Sequence, residues 1–230
     1  MKRLSLFLAL AFTTAAARAD LILEQSMEGG PMATSNITIK IKGDKIRVDM
    51  PGGPIGAMST IMDVNTGDST SLIHAQKMAM TVSGAQTKAM MEMMGKQAGA
   101  NPEAAAPKLT PTGKTEKVGP YQTEIYTWSG SGATQTLWVA KDFPNYSELK
   151  DELAKINKSA AAGFAKGMQP DMSTLPGMVV KTVSEANGMK VTSTLVSVKQ
   201  DPVEAAAFEV PKDYQTMAQP PMPAVPAPPK

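Results

Sequence analysis

The 230-residue chain contains no cysteine, one histidine (His74) and only 5% aromatic residues. Without cysteine there is no disulfide, thiolate zinc site, iron–sulfur cluster or cysteine nucleophile. With a single histidine there is no two-histidine metal site, and a Ser-His-Asp triad would have to use His74. No stretch after the first twenty residues approaches the ~20 apolar residues of a membrane span. No three Lys or Arg residues stand together, and with few aromatics there is little for phosphates or bases to engage. Nucleic acid is therefore excluded as a partner. No Gly-rich phosphate loop, G-x-S-x-G elbow or H-E-x-x-H motif is present. No cofactor and no enzymatic activity are expected.

Residues 1–19 read as an export signal. Lys2 and Arg3 precede the apolar run Leu4 to Phe12, and Ala17-Arg18-Ala19 ends in a small-residue cleavage pattern before Asp20. Nine helical residues rise only ~13 Å, far short of the ~30 Å hydrocarbon core. No cysteine follows for diacylglyceryl attachment. The expected product is exported, periplasmic or extracellular, and does not span the membrane. The formal charge of +2 comes from 23 basic and 21 acidic residues. Cleavage removes three basic residues, so the mature charge becomes −1 and the apparent basicity belongs to the signal.

The rest reads as strands and turns. Ile37, Ile39 and Ile41 alternate with polar residues, as do Ile46, Val48 and Met50, and Gly43-Asp44 supplies the turn between them. Ser59 to Val64 and Ser69 to His74 flank Asn65-Thr66-Gly67-Asp68, and Lys77 to Ser83 adds a fifth strand. Turns this short require antiparallel pairing. Gly84 to Gln97 is expected to be helical. Residues 98–113 are expected to form a flexible loop that acts, with the segment before it, as a lid. Further strands are expected at Lys114 to Val118, Tyr121 to Trp128, Ala133 to Ala140, Met178 to Ala186 and Met189 to Lys199. The last two are hinged by Asn187-Gly188. Leu149, Leu153 and Ile156 mark an amphipathic helix from Pro144-Asn145 to about Asn157. Pro202 to Ala207 reads as a helical turn. The last segment is extended: six prolines occur in the eleven residues from Pro220 to Lys230.

The segments Gly43-Asp44-Lys45-Ile46-Arg47-Val48-Asp49-Met50-Pro51, Ser59-Thr60-Ile61-Met62-Asp63 and Gln76-Lys77-Met78-Ala79-Met80-Thr81, with Leu137-Trp138-Val139-Ala140 and Phe208-Glu209-Val210-Pro211, carry a family resemblance. The chain resembles the bacterial domain-of-unknown-function family forty-four twelve, which is similar to the periplasmic lipoprotein carriers of the LolA and LolB superfamily. The resemblance implies an unclosed antiparallel β half-barrel around a helix, with an apolar cavity for acyl chains. The expected fold is thus mainly β (α+β): a single LolA-like half-barrel of about 8–11 strands covered by one or two helices. It should occupy residues 20–216, with 217–230 a disordered proline-rich tail.

Methionine is the unusual abundance, with 18 in the chain. Its flexible thioether suits cavities that accept irregular apolar ligands. Met78 and Met80 on a strand, Met90 and Met94 on a helix, and the large anchors Trp128 and Trp138 are the candidate lining of a hydrophobic ligand cavity. A lipid or another apolar small molecule is the expected partner. One alternative is an envelope structural or interaction protein with a filled barrel. The other is a methionine-based Cu(I) binder, since soft sulfur selects a soft ion. Asp49 with Asp63, and Glu24 with Glu28, are carboxylate pairs, but nothing in their spacing enforces a glycosidase separation. Arg47 and Asp49 are expected to face solvent, and His74 to be a half-exposed histidine near a strand end.

Overall fold

The computed structural model describes residues 20–30, 34–52, 56–97, 108–130, 132–158 and 170–218. The expected export signal and nearly all of the proline-rich tail lie outside them. Twelve strands form one sheet: β1 (Leu21–Gly29), β2 (Ser35–Lys42), β3 (Lys45–Met50), β4 (Met58–Asp63), β5 (Ser69–Ile73), β6 (Met78–Val82), β7 (Thr110–Val118), β8 (Tyr121–Gly130), β9 (Ala133–Ala140), β10 (Met178–Ala186), β11 (Met189–Lys199) and β12 (Gln215–Ala218). Helix α1 spans Gly84–Gln97 and α2 spans Tyr146–Lys158. No helix among the described residues is long and apolar enough to cross a membrane.

The strand order is β12-β6-β5-β4-β3-β2-β1-β11-β10-β9-β8-β7, so the sheet is open at both ends. Two sets of hairpins, β2–β6 and β7–β11, are joined through β1, which pairs with β2 on one side and β11 on the other. The local turns explain the hairpins. Asn187 (φ 51°) and Gly188 (φ 75°) both take positive φ, the requirement of a type I′ turn. The β1–β11 pair is the non-local closure: Ser197 Oγ donates to Glu24 Oε2 at 2.9 Å across 173 positions of sequence.

Three features depart from the sequence reading. Strand β1 was not among the expected strands. Strand β12 runs parallel to β6, whereas every other pairing is antiparallel, and its last residue, Ala218, lies two residues past the expected domain end. Strand β7 begins at Thr110, inside the segment expected to be a loop. The count of twelve therefore exceeds the expected range by one.

Strand alternation and register define two faces. On one face Leu21 and Leu23 of β1, Ile41 of β2, Ile46 of β3 and Met62 of β4 bury against a core that includes Leu149 of α2 and Val180 of β10. On the same face Leu137 and Val139 of β9 pack with Leu175 from the segment before β10. On the other face Ile61, Leu72 and Ala79 bury beneath Val203 and Phe208 of the strap 201–214, which leads from β11 to β12.

Candidate functional site

Helix α2 builds the main cavity. Its start is set by Asn145, whose carbonyl accepts the amides of Glu148 (3.0 Å) and Leu149 (3.2 Å). Leu149, Leu153 and Ile156 then fall on one stripe and turn to the sheet. Lys155 fixes the far end, donating to the Gly43 carbonyl of the β2–β3 turn and to Glu152, each at 2.6 Å. The helix thus packs on the sheet through its apolar stripe and is tied to the β2–β3 turn by Lys155, and a space remains between part of α2 and strands β1, β10 and β11.

That space is a cavity of about 400 Å³. Its apolar walls come from Leu23, Leu153, Ile156, Met178, Val180 and Leu195. Bulges in the β1–β11 pairing at Glu24/Gln25 and in the β10–β9 pairing at Val179/Lys181 shift the register beside it. An extra residue at a bulge bends the strand and re-aims side chains, here around the cavity wall. Toward the β10–β11 turn the lining becomes polar: Gln25, Ser193, Thr182, Ser184 and Gln135 face the space from four neighbouring strands. Ser193 Oγ donates to Gln25 Oε1 at 3.3 Å. Among the described residues no acidic side chain lines the cavity.

The opposite face carries a second depression of about 600 Å³, lined by Glu28, Glu116, Lys117, Trp138, Lys181 and Lys190 among others. Three of its lining residues are engaged with one another, and a fourth with a residue beside it. Trp138 Nε1 donates to Glu116 Oε2 at 2.8 Å, and Lys181 Nζ lies 4.4 Å from the Trp138 ring centroid. Lys190 Nζ is 3.2 Å from Glu185.

A buried polar network lies under the strap on the same face as that depression. Asp49 Oδ1 accepts from Arg47 Nε and Ser59 Oγ, both at 2.6 Å, and Oδ2 accepts from Lys40 Nζ at 2.9 Å. Arg47 also donates to Ser59 Oγ (2.9 Å) and to the Ala207 carbonyl of the strap (2.7 Å). Ser59 Oγ is 2.7 Å from His74 Nε2, and His74 Nδ1 is 2.6 Å from the Tyr214 hydroxyl. The one proton of the serine hydroxyl goes to Asp49, so His74 Nε2 donates to Ser59 and Nδ1 accepts from Tyr214. Burial pushes the Asp49 carboxyl up, but the bonds from Ser59, Lys40 and Arg47 outweigh it and hold the group below its usual range.

This network looks like a serine–histidine pair but is wired the wrong way for catalysis. A nucleophilic serine gives its proton to histidine. Here Ser59 is 1% exposed, its proton is on Asp49, and both lone pairs receive donors. Arg47 and Asp49 therefore differ from the expectation of a solvent face, because the strap covers them. His74 is half-buried just past the end of β5, in a 3-10 turn (His74–Gln76), with both nitrogens bonded. Asp63 accepts the amides of Asn65 and Thr66 in the β4–β5 turn, while Glu24 bonds Ser197 and Lys199. The carboxylate pairs do not form a common site. Among the described residues no three His, Asp or Glu side chains cluster as metal ligands.

Of the six residues singled out in the sequence, Met78, Met80, Met90, Trp128 and Trp138 are not among those lining the α2 cavity. Met78 and Met80 are half-buried on β6, near the β12 edge of the sheet. Met90 is 42% exposed on α1, and the Met94 side chain lies outside the described residues. Trp128 is buried on β8 and Trp138 on β9, the latter beside the second depression. The structure does not bring them together. Among the described residues the element covering this cavity is α2; residues 98–107 of the segment expected as a lid lie outside them. The residues missed are Leu23, Gln25, Met178, Val180, Ser193 and Leu195, whose strands were read, except for β1, but whose facing was not.

Comparison with known proteins places the fold. No curated protein is significantly similar to the chain. An uncharacterized conserved protein from Thermus thermophilus matches 88% of this chain and 91% of its own, with a TM-score of 0.54 at 10% identity, so the fold is what the two share. Lipoprotein LppX of Mycobacterium tuberculosis aligns over 81% of this chain and 88% of its own at 8% identity, with a TM-score of 0.42. A LolA superfamily protein from Nitrosomonas europaea aligns over 83% and 89% at 9% identity, with a TM-score of 0.32. The model of one family covers residues 21–214, from the first strand to the end of the strap, and the chain accordingly belongs to the domain-of-unknown-function family DUF4412.

Proposed function

We propose that this protein is an exported, non-catalytic binder of apolar small molecules, which it holds between α2 and the sheet. In this reading residues 1–19 are removed on export, and residues 20–218 form one binding domain. The observation that carries it is the cavity of about 400 Å³ with a mainly aliphatic wall. Small-molecule sites have volumes of roughly 300–1,000 Å³ and combine apolar walls with a few convergent polar groups. A filled barrel would have no such space. The saturated Ser59 hydroxyl supports a non-catalytic role, because the best-placed nucleophile has neither a free proton acceptor nor access to a substrate.

Ligand hydrocarbon entering this space would gain about 0.8 kcal/mol for each CH₂ removed from water. Helix α2 is the element whose displacement would admit and release it. Titration of a fluorescent fatty-acid analogue into the purified protein tests the proposal. Saturable binding that is abolished by Leu195→Trp, a substitution that fills the cavity, is the expected result. Absence of binding across acyl probes of several lengths would refute it, as would binding unaffected by Leu195→Trp.

A further inference from the structure

The cavity is graded, and its gradient names a ligand class. Cross-strand register sets the rows along its floor: Leu195 lies opposite Gln25, Ser193 opposite Met27 and Thr182, and Ser184 opposite Gln135. The polar side chains therefore gather toward the β10–β11 turn, and the aliphatic ones toward Leu23 and Val180. Thr182, Ser184 and Gln135 make no side-chain hydrogen bond with described residues, and no buried polar side-chain atom of the described residues lacks a partner. Their polar atoms are thus open to solvent in the cavity, free to bond a ligand.

Among the described residues the charges lining this space have one sign. They are Lys150 and Lys181, and the Lys181 ammonium lies over Trp138 on the opposite face. Lys150 sits one helical turn after Tyr146 and one before Ala154, so all three present one stripe of α2 to the cavity. Lys155, which is not among the lining residues, is paired with Glu152, whereas Lys150 has no carboxylate within ion-pair distance among the described residues. An ammonium without an ion-pair partner among the described residues, a row of hydroxyls and amides and an aliphatic wall thus line one space and make a site for one kind of molecule.

We infer that the ligand is an anionic amphiphile, its hydrocarbon on the Leu23–Val180–Leu195 wall and its carboxylate or phosphate head at Lys150 and the Thr182–Ser184–Gln135 row. The inference rests on the binding function proposed above and adds charge and direction to it. Carboxylate and phosphate heads offer Lys150 the same anionic oxygens, so the experiment compares them.

Calorimetric titration of the purified protein with four twelve-carbon probes, each below its micelle concentration, tests the inference. The probes are dodecanoate, dodecyl phosphate, dodecan-1-ol and dodecyltrimethylammonium, with inorganic phosphate as a fifth arm. Both anions should bind roughly five-fold more tightly than the alcohol, the gain of a partly screened ion pair, and the cation should bind most weakly. Whichever anion binds more tightly identifies the head group. Inorganic phosphate alone should not bind measurably. Lys150→Gln should bring the anions level with the alcohol, and Lys150→Glu should place the cation first. Lys150 is exposed and unpaired, so these variants keep the fold, which circular dichroism checks. Equal binding of anions and alcohol, or anion preference surviving Lys150→Glu, would overturn the inference and leave the cavity function standing. Inorganic phosphate binding as tightly as dodecyl phosphate would also overturn it. Failure of every twelve-carbon probe would overturn both.

Discussion

Replacing Asp49 with Asn tests the reading of the buried network most sharply. The substitution keeps size and shape but removes the charge that accepts from Arg47, Ser59 and Lys40. Removing one partner of a fully buried ion pair costs about 3–5 kcal/mol, because the other charge stays desolvated. Here the Arg47 and Asp49 side chains are 16% and 24% exposed, so water screens part of the loss. We therefore expect a cost of about 2–3 kcal/mol at pH 7. A domain of this size loses about 2–4 °C of Tm per kcal/mol, giving a drop of roughly 4–12 °C in calorimetry.

The pH dependence carries more information than the drop. The folded pKa of Asp49 lies below its unfolded value, so the stabilisation is complete above the unfolded pKa near ~3.9 and is lost as pH falls through the folded one. Protonated aspartate resembles asparagine. The gap between wild type and Asp49→Asn should therefore be constant from pH 7 to about 5 and close below it. Ser59→Ala should be less than additive with Asp49→Asn, since the two share one network. A cost below about 0.5 kcal/mol, or a gap that does not change on acidification, would refute the assignment.

Three other substitutions probe the frame. Trp138→Phe removes the indole donor to Glu116 and weakens the Lys181 contact, and should cost about 1–2 kcal/mol in denaturant unfolding. Gly177→Ala would set a Cβ 2.2 Å from the Ala140 carbonyl oxygen, so the β9–β10 junction beside the cavity must shift, and Tm should fall. Tyr214→Phe takes the donor from His74 Nδ1 and should loosen the strap, read as faster limited proteolysis between 201 and 214 with little change in global melting.

What was legible in the sequence is what local chemistry decides. Gly43-Asp44 and Asn187-Gly188 announced their hairpins because turn geometry is set by two residues. Helix α2 was legible because its stripe repeats at helical spacing. Strand β1 was not, because both of its faces are covered: Leu21 and Leu23 face α2 while Ile22 lies under the strap, which erases the alternation. Strand β12 has only four residues and exists through its parallel pairing with β6, which nothing local encodes. The cavity was hidden for a related reason. Which strand face meets α2 depends on the distant β1–β11 pairing and on two bulges, so the abundance of methionine pointed to side chains elsewhere. Arg47 and Asp49 looked solvated because the strap that covers them arrives from the other end of the chain; Arg47 meets Ala207 across 160 positions.

Native mass spectrometry of the protein purified from its own host's envelope tests the central claim most directly. The account predicts a bound apolar molecule as a discrete mass increment on the wild type and its loss in Leu195→Trp. A wild type that carries no increment, or a Leu195→Trp protein that carries the same one, would contradict it.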